Sequence, residues 1–395
     1  MKNYVKILIA GGFMLAMLVY AVATSTVTEN SASFPAITQN GSSVYDLSDN
    51  LKKTYDAVVC KGDNASDDAA KARICSYVCE STDSECADEI QDAIDNTPTG
   101  GTIFINTGTY VINTTIEIKD RHWIKGSGTD GTTIQLATSG NKHMILFNHT
   151  DNVTFFTLEQ LTIDGQRNTN TAGDCIHLST DTGNHLWDAR FQDIFVLNCD
   201  GMGIYAEDAH HYVFDHVVVE YCDESAIKLD GDNTAPAMIV NSLVKLNSQR
   251  GIDLVNGGYS ITNNQFIQNG HAGIATGGDE VKITGNLFSE NSYGNSGTYS
   301  GIRQWSWGKR TTIIGNTFSG GQHKYGIHLE GYNNTVTGNM ITNTVTDYWQ
   351  DDGTGNVWMA NQGDMTNYVE KTCYNGNTTC CIFANATGVQ TECVG

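Results

Sequence analysis

Two short apolar patterns alternate along the middle of this chain and recur every 22 to 28 residues. That is the period of one coil in a parallel β-solenoid. The first pattern is a small residue followed by Ile, with an apolar residue two further on in most copies. Its anchors are Ile176, Ile204, Ile227, Ile252, Ile274, Ile302 and Ile327. The second is clearest at Ile261–Phe266, Ile283–Phe288, Ile313–Phe318 and Val336–Ile341. Looser copies lie at 158–163, 191–196, 214–219 and 239–244. Each segment is too short for a helix and alternates with period two, so inward Ile and Leu of successive coils should stack into one apolar column. A leucine-rich horseshoe would need a helical segment in each repeat, and no repeat has one.

Composition agrees with many short strands joined by tight turns: 41 Gly, only 3 Pro, and 17% charged residues. Turn positions should stack as well. Eight residues after each second-pattern start stand Cys199, Cys222, Asn247, Asn269 and Asn291, and stacked Asn side chains can hydrogen-bond along such a column. Cys199 and Cys222 would be neighbours about 4.8 Å apart. They are expected to pack as small buried groups, with pairing as the alternative.

A solenoid's ends expose core and strand edges and need covers. Residues 88–96 can form a short amphipathic helix with Ile90 and Ile94 on one face, closing the N-terminal end. Cys60, Cys75, Cys79 and Cys86 precede the repeats, and Cys373, Cys380, Cys381 and Cys393 follow them, which suggests disulfide-rich caps. Zinc is disfavoured by irregular spacing without interleaved His. The expected layout is an export signal or membrane anchor at 1–23, a Cys-containing extension at 24–87, the β-helix at 88–348 and a Cys-rich cap at 349–395.

Lys2 and Lys6 precede an apolar stretch that ends in Ala21-Val22-Ala23, a small-residue cleavage pattern, so a secreted or cell-surface protein is expected. Eleven cysteines and eight Asn-x-Ser/Thr triplets (Asn40, Asn64, Asn113, Asn148, Asn152, Asn333, Asn377, Asn385) fit that setting. A net charge of −22 argues against nucleic acid and anionic membrane as partners, and no membrane contact is expected unless the N-terminal segment is retained.

The run from Asp88 to Asp95, then Gly100-Gly101-Thr102-Ile103-Phe104-Ile105 and Gly108-Thr109-Tyr110, resembles the opening of the pectate-lyase-3 group. That group also holds rhamnogalacturonase- and epimerase-like β-helix proteins. Ile124–Gly128 with Thr132–Leu136 continues the likeness, which covers roughly 88–345. It implies an all-β, right-handed parallel β-helix acting on or binding a polysaccharide. Members include lyases, hydrolases, epimerases, tailspikes and proteins without known activity, so the fold does not choose the chemistry. Side-by-side homotrimers, as in tailspike-like proteins, are one assembly it allows.

If the Ile anchors point inward, the residues one and three further on face out from one flat sheet. The first column reads His177, Tyr205, Lys228, Asp253, Ala275, Arg303, His328. The second reads Ser179, Glu207, Asp230, Val255, Gly277, Trp305, Glu330. Tyr205, Lys228, Asp230 and Asp253 are the candidate catalytic groups. Asp230 and Asp253 should stand roughly 8 Å apart, as in an inverting hydrolase pair, and Glu207 and Asp230 nearer about 5 Å, as in a retaining pair. Lys228 or Tyr205 could instead serve as the base of a β-elimination, with Arg250, Arg303 or a cation neutralising the substrate carboxylate. Glu207, Asp230 and Asp253 could hold that cation as Ca2+. His177, Arg303, Trp305, Trp307, His328 and Glu330 are candidate substrate contacts, the Trp rings as faces for sugar stacking.

Family signatures of chemistry are incomplete. Val213-Phe214-Asp215-His216 is similar to the Trp-Ile-Asp-His stretch of pectate lyases but lacks its Trp, and that family's Arg-containing motif is missing. Gly173-Asp174-Cys175-Ile176 is the nearest match to the Asp-Asp strand of polygalacturonases, with Cys175 where a partner Asp would be. A non-catalytic glycan-binding or adhesion rod is therefore the alternative reading. A metal site at His210, His211 and His216 is disfavoured, since adjacent residues on a strand point to opposite faces, and exposed turn positions are expected instead.

Overall fold

Successive coils align anchor on anchor. Ile145, Ile176, Ile204, Ile227, Ile252, Ile274, Ile302 and Ile327 pair in unbroken parallel register, and all are buried. The computed structural model describes residues 54–363, apart from 73, 81–82, 150–152, 181–185, 208 and 231–235, and four two-residue strands outside that span. The anchors belong to a ten-stranded parallel sheet that runs from Ile116–Glu117 to Asp347–Asp351. Two further faces complete each coil, and the apolar interior between the three faces is one continuous core.

The second pattern builds those two faces and the corner between them. In one coil Lys282–Thr284 is the first strand and Leu287–Ser289 the second. Between them Gly285 adopts a left-handed φ of 66° and Asn286 is buried. The same corner holds left-handed His216, Asn241, Asn263, Gly315 and Gly338. Gly and Asn enter this region at least cost, which is why the motif reads Thr-Gly-Asn or Thr-Asn-Asn. In the earlier coils the two faces are single strands, Val153–Asp164 and Leu186–Leu197, bent at left-handed Gln160 and Asp193.

The flanking residues of both patterns fit one another. Phe266, Phe288 and Phe318 stack with ring centroids 5.0 and 4.7 Å apart, close to the strand spacing. A Cβ on Gly273 would lie 2.6 Å from Phe288 Cδ1, so the small residue ahead of the Ile anchor makes room for the aromatic column.

The expected Asn column is present. Asn247 Nδ2 donates to Asn269 Oδ1 at 2.9 Å, and Asn269 Nδ2 to Asn291 Oδ1 at 2.8 Å. A second ladder, unforeseen, runs through the corner Asn of the second pattern: Asn264, Asn286, Asn316, Asn339 and Asn361, linked at 2.9–3.0 Å. Each side chain also serves the backbone. Asn286 Nδ2 donates to Ile261 O, and Asn286 Oδ1 accepts the Asn264 N–H. Turn polar groups that could not reach water are thereby satisfied inside the coil stack.

At the N-terminal end, Ala87–Asn96 is a helix whose Ala87, Ile90, Ala93 and Ile94 are buried. Disulfides Cys60–Cys75 and Cys79–Cys86 fasten the segment before it. The stacked strands reach past both ends of the repeat region: Ala57–Lys61 pairs in parallel with Thr102–Ile105, and Val357–Met359 with Thr335–Thr337. One cysteine expectation is corrected. Cys199 is bonded to Cys175 on the adjoining face, while Cys222 is a free, buried thiol that burial pushes up to about 12. Two Cys stacked one coil apart were the visible pair in sequence, but Cys175 sits across the turn from Cys199.

The chain divides into two units, Met1–Asp46 and Leu47–Gly395. Of the first, the antiparallel strands Thr38–Gln39 and Ser42–Ser43 are described. The expected export segment at 1–23 and the four C-terminal cysteines lie outside the described residues. Among the described residues no helix is long and apolar enough to cross a membrane.

Two predictions follow from the ladders. Asn286→Ala should destabilise the fold by about 2–3 kcal/mol in urea unfolding, because it strips partners from Ile261 O, Asn264 and Asn316 at once. His323 ends the other ladder: its buried Nε2 accepts the Asn291 N–H, and burial holds its pKa down at about 4. The unfolded chain takes up that proton near pH 6.5 and the folded chain only near 4. Stability should therefore fall as pH drops through this window, by up to about 3 kcal/mol, and flatten below it. Unfolding curves of His323→Asn, which continues the ladder without a titrating group, should lack this component.

Candidate functional site

The outward column of the ten-stranded sheet is in register as expected. His177, Tyr205, Lys228, Asp253, Ala275, Arg303 and His328 pair strand to strand in that order. Glu207 pairs with Asp230, and Ser179 Oγ donates to Glu207 Oε2 at 3.0 Å. The inward alternates Ile and Leu hold the strands flat, so neighbouring outward side chains are separated by little more than the strand spacing.

Four coils contribute to a ring stack at one end of this face. The His143 and His177 centroids are 4.0 Å apart, those of His177 and Tyr205 5.0 Å, and Lys228 Nζ lies 5.0 Å from the Tyr205 ring. Asp174 stands beneath the two imidazoles. Its Oδ2 is 2.6 Å from His177 Nδ1 and 3.4 Å from His143 Nδ1, and its Oδ1 accepts the Met202 N–H at 2.6 Å. A carboxylate only accepts, so His177 Nδ1 carries the proton there. Burial, and then the neighbouring His177, hold His143 below the usual imidazole range. His143 escaped the sequence reading because it precedes the first clear anchor. The signal was there in part: Ile145, with Phe147 two further on, repeats the first pattern with Met144 in place of the small residue, two coils before Tyr205.

Farther along, charges are already paired within the protein. Arg250 Nη1 is 2.8 Å from Asp253 Oδ2, and Arg303 clasps Glu330 Oε1 through Nε at 3.0 Å and Nη2 at 2.8 Å. Asp253 lies on the outer face yet is only 5% exposed. Its Oδ1 is buried without a hydrogen-bond partner, and burial raises its pKa despite Arg250 and Lys228 nearby. Asp230 instead accepts from Asn256 Nδ2 at 3.3 Å. Of the three groups expected to share a cation, Glu207 and Asp230 are thus side by side, while Asp253 is turned to Arg250.

Trp305 and Trp307 stack at 5.1 Å, with Arg250 5.4 Å from the Trp305 ring and Trp307 58% exposed. His328 Nε2 contacts Asp352 Oδ2 at 2.9 Å. The remaining histidines divide as strand alternation demands. His211 and His216 are exposed beside Asp188 and Asp215, but His210, expected at an exposed turn, is buried against Trp187 at 4.4 Å. The bulky ring of Trp187 covers it.

The family model described as "Right handed beta helix region" matches residues 93–318 and 237–394. The chain belongs to the right-handed β-helix family. Solved β-helices align along most of it at low identity. The A-module of the Azotobacter vinelandii mannuronan C-5 epimerase AlgE4 is 16% identical over 74% of this chain and 96% of the module, with a TM-score of 0.46. PfbA, a surface adhesin of Streptococcus pneumoniae, is 13% identical over 79% of this chain and 95% of its own, with a TM-score of 0.52. Tailspike protein 2 of the Escherichia coli O157:H7 bacteriophage CAB120 is 13% identical over 70% of this chain, TM-score 0.51, and this chain spans 45% of it. No curated protein matches in sequence. The likeness to PfbA and the tailspike speaks for the β-helix and not for a reaction.

The Arg250–Asp253 pair yields a prediction. Arg250→Met would leave a nearly buried carboxylate without its partner and should cost about 2 kcal/mol of stability, below the fully buried case because Arg250 is partly exposed. The loss should be larger near neutral pH than in acid, where Asp253 becomes neutral and no longer needs the guanidinium. Thermal unfolding of the variant at two pH values measures both.

Proposed function

We propose that this β-helix is an extracellular, carbohydrate-active protein that cleaves a uronate-containing polysaccharide by β-elimination on its ten-stranded face. The observation that carries the reading is the His177–Tyr205–Lys228 stack, which brings three proton-handling side chains together on an open, rigid surface. Lys228 or Tyr205 is the base that removes the C5 proton of the uronate. The C4–O glycosidic bond then breaks, a C4=C5 double bond forms, and the leaving oxygen takes up a proton. Trp305 and Trp307 are positioned farther along the same face to stack with sugar rings of the chain being cut.

The elimination reading is favoured over inverting hydrolysis by the state of Asp253. With one oxygen bonded to Arg250 and the other buried, it is badly placed to serve as acid or base opposite Asp230. Secretion is supported by three disulfides, Cys60–Cys75, Cys79–Cys86 and Cys175–Cys199, together with the signal-like N-terminus. The exposed Trp307 favours the second reading, a glycan-binding rod without catalysis.

Incubation with a panel of polysaccharides tests the proposal. Growth of unsaturated-uronate absorbance is expected on at least one uronate polymer, reduced about 100-fold or more in kcat by Lys228→Ala or Tyr205→Phe. New reducing ends without that absorbance would point to hydrolysis. Binding without any cleavage would leave the rod.

A further inference from the structure

An elimination needs a positive charge at the uronate carboxylate, because the carbanion formed at C5 is stabilised only when that group is neutralised. Both arginines of the face are already held by carboxylates of their own, Arg250 by Asp253 and Arg303 by Glu330. The protein as a whole is strongly acidic. We propose that His143, Asp174 and His177 form a binding site for a divalent transition-metal ion such as Zn2+, open to solvent near one end of the ten-stranded face. This is a different place, and a different ligand chemistry, from a calcium site at Glu207 and Asp230. The role of the ion beside Tyr205 rests on the elimination reading, but its binding does not.

The donor set suits such an ion. One nitrogen of each ring and one Asp174 oxygen lie within 4.8 Å of one another. Two imidazoles and a carboxylate suit Zn2+ and its neighbours far better than Ca2+, which takes oxygen ligands. Tetrahedral ligands about 2.0–2.2 Å from a metal stand roughly 3.3 Å from each other. The 3.4 Å separation of His143 Nδ1 from Asp174 Oδ2 already meets this, while the 2.6 Å contact to His177 Nδ1 must open slightly as its proton leaves. The Asp174 N–H, which now donates to His143 Nδ1 at 3.0 Å, would give up that bond. That loss is small beside metal ligation. His143 and His177 side chains are 40% and 20% exposed, which leaves coordination positions for water or a substrate carboxylate.

The local backbone is shaped to present these groups. Gly173 has φ 110°, and a Cβ there would lie 2.1 Å from Lys142 O, so only glycine lets the turn carrying Asp174 come so close to the turn carrying His143. A Cβ on Gly201 would lie 2.3 Å from Asp174 Oδ1, the oxygen fixed by the Met202 N–H. Directly after Asp174, the Cys175–Cys199 disulfide ties the strand to the next turn. Orientation of a ligating carboxylate by such a backbone donor is a regular support of metal sites.

Titration calorimetry of the untagged full chain with zinc chloride, without polysaccharide, tests the site. One ion per chain is expected, with affinity falling in acid, where protons compete with the ion for the ligand nitrogens. His143→Ala and Asp174→Asn should each weaken binding at least 10-fold, with circular dichroism of the β-helix unchanged, and Co2+ should give visible d–d absorption that Zn2+ removes. Absence of binding to the wild-type chain overturns the proposal, and so does zinc affinity that survives His143→Ala with His177→Ala. Zinc bound without cleavage of any polymer would retire the elimination reading and leave the site standing. Cleavage indifferent to chelators and without zinc binding would do the reverse.

Discussion

Everything in this molecule depends on one coil being unable to satisfy itself. A coil of about 22–28 residues has an apolar interior open at both ends and unpaired N–H and C=O groups along both edges of each strand. Stacking the next coil in parallel register removes both costs at once. Register is then enforced from three directions: Ile over Ile in the flat sheet, Phe over Phe at 4.7–5.0 Å, and Asn bonded to Asn at the corner. A slip by one residue would turn the Ile anchors outward and break both ladders, so the geometry has little freedom to drift.

That rigidity makes an outward column a reliable place for chemistry. His177, Tyr205 and Lys228 are separated in sequence by whole coils, yet their spacing is set by the strand spacing and hardly by their own contacts. The same face also shows what outward position does not guarantee. Asp253 faces outward by register but is withdrawn under Arg250, because a carboxylate flanked by two cations lowers its energy by pairing with one of them. Column position settles which side a residue is on. Its neighbours one coil away settle whether it is available.

This division explains what was legible in the sequence. The anchors, the outward column and the turn ladder Asn247–Asn269–Asn291 are periodic, and periodicity survives without coordinates. The corner ladder was equally periodic, but its Asn sat beside the left-handed Gly285 and Asn263 and could be taken for turn chemistry alone. The Cys175–Cys199 bond and the burial of His210 depend on how a turn crosses between faces. No repeat encodes that crossing.

The end of the face that carries His143 and Asp174 is where periodicity breaks down, and it is also where the ionisable groups gather. The coils carrying His143 and Asp174 have the long bent strands Val153–Asp164 and Leu186–Leu197 in place of the short corner pairs, and no Asn ladder runs through their corners. A disulfide and two closely packed glycines hold the turn there instead. Ladder residues are committed to the stack, since each Asn spends its donors and acceptor on its neighbours. A coil held by a disulfide and by close backbone approach does not draw its polar side chains into a ladder, and they stay on the outer face. The irregular coils are therefore the ones in which sequence can vary toward chemistry without loosening the rod.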